Sequence, residues 1–93
     1  MPITYTGGSY SNVTSKNISC RVGDILVVAN TRDSSAVVYF NGVNIVNGSI
    51  PGLIRRQTLS GNENICVMVK ATVTTYTISS STKIGGAWEV FKV

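Results

Sequence analysis

The chain alternates short apolar runs with tight polar turns from end to end. The sharpest unit is Gly23-Asp24, then Ile25-Leu26-Val27-Val28-Ala29, then Asn30-Thr31-Arg32. An apolar run that stops after five residues is too short for a helix and too continuous for a strand with one wet face. It predicts a strand buried on both faces, or one at the centre of a sandwich. Other segments repeat the arrangement. Residues 3–6 predict a first strand, closed by Gly7-Gly8-Ser9, and residues 13–22 a second, in which Ile18, Cys20 and Val22 alternate with Asn17, Ser19 and Arg21. Residues 36–40 run into Asn41-Gly42, the strongest short hairpin signal because both residues tolerate positive φ, and residues 43–46 form the partner strand, ending at Asn47-Gly48.

Ile50-Pro51-Gly52 breaks the ladder, since proline supplies no donor, and belongs to an edge or a connection. Residues 53–59, 65–71, 73–79 and 88–93 complete the strand pattern, with turns at residues 60–64 and at Ser80-Ser81-Thr82. No stretch carries a helical period. The expected fold is all-β: a small antiparallel two-layer β-sandwich of about eight or nine short strands, with the jelly roll as one form of it. At 93 residues it is a single domain spanning residues 1–93.

Composition adds a statement about the surface. Charged residues make up only 13% of the chain, against roughly 25% in an average soluble domain, so the polar surface is built from neutral Ser, Thr and Asn. Such a surface packs against a neighbour with little charge to desolvate. A domain this small buries only a little over ~60% of its unfolded surface, so association with copies of itself would add stability.

The net charge is +4, but the eight basic residues are spread along the whole chain. Phosphate binding needs several cations converging on one track, which argues against a nucleic-acid partner. Arg55-Arg56 is the one place where a polyanion would meet two adjacent cations.

There is no histidine, which removes Ser-His-Asp and Cys-His catalysis and nearly every catalytic zinc site. Asp24, Asp33 and Glu63 all fall in predicted turns, and a paired-carboxylate centre needs two acids about 5–9 Å apart in one cleft, which the sequence does not establish. The expectation is a protein without catalytic residues, metal or cofactor. Cys20 and Cys66 both lie in apolar strand patterns. A bridge between them is one reading, and two reduced thiols packed as small hydrophobes is the preferred one. Three Asn-x-Ser/Thr triplets, at Asn12, Asn17 and Asn47, are about what chance gives in a chain so rich in Ser and Thr.

An exposed aromatic face beside Asn and Ser is what a sugar-binding site needs. Tyr10, next to Gly7-Gly8-Ser9, is the best loop-borne candidate, and Trp88 is the second. The start of the chain has no charged and apolar leader pattern, and no stretch approaches the 18 or so apolar residues of a membrane span. The expected product is made in the cytoplasm, or the sequence is that of an already mature chain, with no membrane partner.

Two segments carry a family likeness. Residues 15–28, an alternating strand through Ile18, Cys20 and Val22 that meets Gly23-Asp24 and then the buried run, resemble the opening of small β-sandwich modules in bacteriophage and prophage virion proteins, tail appendages in particular. Residues 66–79 are similar to a later strand pair of such modules, and together the two cover about a third of the chain. Residues 43–59 lack the Gly-Trp segment of those modules, and no functional residue carries over. The resemblance implies a non-enzymatic virion part: a tail or fibre component, or a capsid decoration protein, located in the virion. Its partners would be further copies of itself or other virion proteins. The alternative is a lectin-like module for a host surface glycan.

Overall fold

The computed structural model describes residues 5–32, 36–60 and 64–93, and among them it is all-β, with no helix and hence none long and apolar enough to cross a membrane. Seven strands form one antiparallel sheet that curls into a half-barrel: β1 (Tyr5–Ser19), β2 (Ile25–Arg32), β3 (Val38–Phe40), β4 (Val43–Asn44), β5 (Leu53–Ser60), β6 (Asn64–Lys70) and β7 (Thr75–Phe91). The hydrogen-bonded order is β4-β3-β7-β2-β6-β5, with β1 also paired to β7.

The strand count is lower than the eight or nine expected because two expected breaks do not occur. Gly7-Gly8-Ser9 lies inside β1, and Ser80-Ser81-Thr82 lies inside β7. The glycines are needed for close approach, not for a turn. A Cβ on Gly7 would stand 2.9 Å from the Trp88 carbonyl oxygen, and one on Gly8 would stand 3.0 Å from the Trp88 ring. β1 and β7 therefore pair at both ends, from Tyr5↔Phe91 to Tyr10↔Gly86 and from Ser15↔Ser79 to Ser19↔Thr75, with residues 80–83 of β7 unpaired to β1 between them. Register shifts between Tyr10 and Ser15, with Asn12 at φ 55°, let the ribbon bend. The bend gives β7 two sets of neighbours on its other side: β3 along residues 78–80 and β2 along residues 84–91.

Three turns follow the sequence pattern. Asn41 (φ 50°) and Gly42 (φ 79°) form the two-residue connection between β3 and β4. Asn41 does more than turn. Its side-chain oxygen accepts from the Thr77 amide (2.7 Å) and its side-chain amide donates to the Thr75 carbonyl (3.2 Å), extending the β3 ladder along β7. Ile50-Pro51-Gly52-Leu53 closes with the Leu53 amide donating to the Ile50 carbonyl (3.1 Å), with Gly52 at φ 79°, and leads into β5, the last strand in the sheet order. Arg21-Val22-Gly23-Asp24 closes in the same way, with Gly23 at φ 96°. The strand expected over residues 43–46 shrinks to two residues. The Asn44 side chain accepts from the Val46 amide (2.9 Å) and turns the chain at once.

The core fills the inside of the curl. Ile18, Leu26, Val28, Phe40, Ile45, Val67, Val69, Ile78 and Val90 are fully buried, and Phe40 stacks on Tyr76 with ring centroids 4.9 Å apart. β2 corrects one expectation. Leu26, Val28 and Asn30 are buried, but Ile25, Val27 and Ala29, which point the other way, are only half-buried. The run is not buried on both faces, because no layer among the described residues covers its outer side.

Candidate contact surface

Directly paired residues on neighbouring strands share a face, so the register fixes what lies on each side of the sheet. On the inner face, Val28 pairs with Trp88 and Trp88 with Gly8, while Asn30 pairs with Gly86 and Gly86 with Tyr10. Both aromatic candidates thus belong to the inner side. Tyr10 is 7% exposed, so the expectation of an exposed loop ring is corrected: the residue sits in β1, and its ring crosses above Gly86. With no side chain at Gly86, the Tyr10 hydroxyl reaches two strands over and donates to Asn30 Oδ1 (2.6 Å). Burial pushes the Tyr10 phenol well above its usual range, so it is a neutral donor at any working pH. Trp88 is half-buried against the core with its ring over Gly8, and its indole N–H is buried without a partner among the described residues.

Asn30, at 1% exposure, is the polar residue that sequence reasoning missed, because Asn30-Thr31-Arg32 reads as a turn. Tyr10→Phe leaves the Asn30 side chain without its hydrogen bond in the core, at an expected cost of about 1–3 kcal/mol. Urea unfolding of Tyr10→Phe and of Asn30→Ala, singly and together, measures it. A sub-additive double mutant is the expected result.

Arg55 and Arg56 do not converge. Consecutive strand residues point to opposite faces, so Arg55 is exposed opposite Met68, while Arg56 sits opposite the buried Val67 and donates from Nη1 to the Gly48 carbonyl (2.7 Å). The pair does not present two cations to one polyanion.

Of the turn carboxylates, Asp33 and Glu63 lie outside the described residues. Asp24 is a turn lock. Its Oδ2 accepts from the Arg21 amide (2.9 Å) and from Lys92 Nζ (3.3 Å), which ties the 21–24 turn to the end of the chain. The Arg21 amide and, after it, Lys92 hold its carboxyl below the usual range. With the folded value lowered, the stabilisation is complete above the unfolded pKa of ~4 and is lost as pH falls through the folded value. Asp24→Asn should therefore be less stable than the parent at neutral pH and converge with it in acid. Urea midpoints measured between neutral and strongly acidic pH test this. No group of three His, Cys, Asp or Glu that could hold a metal occurs among the described residues. Cys20 and Cys66 are free thiols, with Cys20 buried, its Sγ 3.4 Å from the Val73 carbonyl oxygen, and Cys66 half-buried.

The outer face is different. One row runs Arg55, Met68, Val27, Glu89, Gly7 across β5-β6-β2-β7-β1, and the next runs Gln57, Cys66, Ala29, Ala87, Ser9. Small residues in β2, β7 and β1 leave a shallow trough of about 370 Å³, lined by Gly7, Gly8, Val27, Ala29, Ala87, Glu89 and Trp88, the last of which turns its ring to the inner side over Gly8. Met68, 37% exposed, stands as a ridge next to the trough. An apolar floor, a flanking charge of each sign and mostly neutral polar surroundings are features that protein contact surfaces share. The sequence signal for this surface was the unbroken apolar run of β2, whose second face has to go somewhere. No family model, curated protein or solved structure matches the chain.

Proposed function

We propose that this protein is a non-enzymatic assembly module, used in many copies, that works by joining neighbours through its sheet surface, and that its setting is a bacteriophage virion, as a tail or fibre component or a capsid decoration protein. The observation that carries the assembly reading is the half-buried outer face of β2, a strand whose sequence calls for cover on both sides. A neighbour laid on that face supplies the second layer of a β-sandwich. The virion setting draws on the likeness of residues 15–28 and 66–79 to virion modules.

The glycan-binding reading is less favoured, because the Tyr10 and Trp88 rings lie on the inner side. A glycan-array signal abolished by Trp88→Ala in a folded protein would reverse that preference. Sedimentation of phage particles from a producing strain, with immunogold electron microscopy, tests the virion proposal. The chain should travel with the particles and label them at repeated positions. A chain confined to the soluble fraction and absent from particles would overturn it.

A further inference from the structure

We propose that the outer face of β5-β6-β2-β7 packs on the same face of a second copy of this chain, about a two-fold axis that runs along the strands and passes between β6 and β2. The inference rests on the assembly reading and names its first contact. The first argument is the pattern of charge. Along the row Arg55, Met68, Val27, Glu89, the midpoint falls between Met68 and Val27. Rotation about an axis through that midpoint lays Met68 over the partner's Val27 and Arg55 over the partner's Glu89, with the reciprocal pair on the other side. Arg55 and Glu89 are both exposed, and neither is in an ion pair among the described residues.

The second argument is shape. The same rotation sets the larger side chains of β5 and β6 over the small ones of β2 and β7: Cys66 meets the partner's Ala29, and Gln57 meets the partner's Ala87. Ridge then falls against trough on both copies, as an isologous interface requires. Lys70, at the end of its strand, lays its stem near the partner's Ile25 and keeps its ammonium at the rim. Sheets packed in this way lie ~10 Å apart with strands within about 30° of alignment, a gap that an arginine and a glutamate span together.

The third argument is area. The overlap covers β5, β6, β2 and β7: four strands spaced at ~4.8 Å and eight residues rising ~3.4 Å each make a face of roughly 520 Å², below the ~800 Å² per partner of a standard stable interface and in keeping with a weak, concentration-dependent dimer. Little charge is desolvated when it closes, since Arg55, Glu89 and Lys70 are the charged residues on these rows and each lies towards the border.

The test uses the full chain. Sedimentation velocity from about 1 μM to about 1 mM, a range in which interfaces of this size dissociate, should show a monomer–dimer equilibrium. Reaction of Cys66 with a thiol reagent should slow as the dimer fills. Arg55→Glu and Glu89→Arg each place like charges across the interface and should weaken the dimer by about tenfold or more, and the double swap should restore it. All three variants should keep the parent's thermal midpoint when held as monomers, because both positions are exposed. A chain that stays monomeric at the highest concentration overturns this dimer, while particle sedimentation decides the virion proposal separately. A dimer that ignores both single swaps also overturns this interface, and leaves self-assembly standing through another surface.

Discussion

Replacing Gly86 by alanine is expected to destabilise the fold by about 3 kcal/mol, out of a total stability of about 5–15 kcal/mol for a domain of this kind. Gly86 sits in β7 between Asn30 of β2 and Tyr10 of β1, with the Ala29 carbonyl beside it. A Cβ there would overlap the Ala29 carbonyl oxygen and stand 2.8 Å from the Tyr10 hydroxyl. The first contact is with backbone inside a hydrogen-bonded ladder, so relief requires β2 and β7 to part. The second is with a ring wedged across the sheet towards Asn30, so relief there breaks the Tyr10–Asn30 hydrogen bond.

Thermal denaturation should show a fall of about 12–24 °C. Gly23→Ala is the matched control. Gly23 has φ 96° but nothing within 4 Å of an added Cβ, so it reports backbone strain alone, at about 1 kcal/mol. Combining Gly86→Ala with Tyr10→Phe should recover only part of the loss, because the overlap with Ala29 stays. A Gly86→Ala protein no less stable than Gly23→Ala would mean that the strands are not held as described.

The same residues explain what the sequence made legible and what it did not. The β2 run, the Asn41-Gly42 turn, the Pro51-Gly52 break and the Gly23-Asp24 turn were all readable, because each rests on local chemistry: apolar continuity, positive φ or a missing donor. Gly7-Gly8 was not, since a glycine pair is written identically for a turn and for a strand that must pass close to a large ring. Once that pair is taken as a turn, Tyr10 falls in a loop and looks exposed. The Tyr10–Asn30 bond depends on a glycine 76 positions further on, and no local rule reaches that far.

Ser80-Ser81-Thr82 misleads in the same way. Polar residues mark a turn in isolation, but here they continue β7 through the bend, where Ser80 Oγ donates to the Val37 carbonyl (3.0 Å). The division of Arg55 from Arg56 was within reach of the sequence, because a strand over residues 53–59 already sends neighbours to opposite faces. The outer face was legible in half: the apolar run of β2 predicts cover on both of its sides. Which strands flank it, and so which charges border it, depended on pairing that only the three-dimensional order supplies.

Phe40→Ala is expected to cost about 3–5 kcal/mol, and the structure places it at the lower end of that range. Phe40 is 1% exposed and closes the short β3 strand against β7, where it pairs with Ile78 and stacks on Tyr76. Its loss removes the transfer energy of a large side chain and the ring contact, and it loosens the first half of β7, to which β3 contributes only three residue pairs. The offsetting effect is local. Phe40 also forms one wall of a cleft of about 150 Å³ that Asn41, Pro51 and Val73 open towards solvent, so the vacated space joins an existing recess. A recess that water or a shifted Val43 fills costs less than a sealed void. Ile78→Ala, which removes fewer atoms from a fully buried site away from that cleft, makes the comparison: its cost of about 2–5 kcal/mol should approach that of Phe40→Ala despite the smaller deletion. Urea midpoints for the two proteins decide it. A Phe40→Ala loss exceeding that of Ile78→Ala in proportion to the atoms removed would show that the cleft gives no relief and that β3 is clamped from both sides.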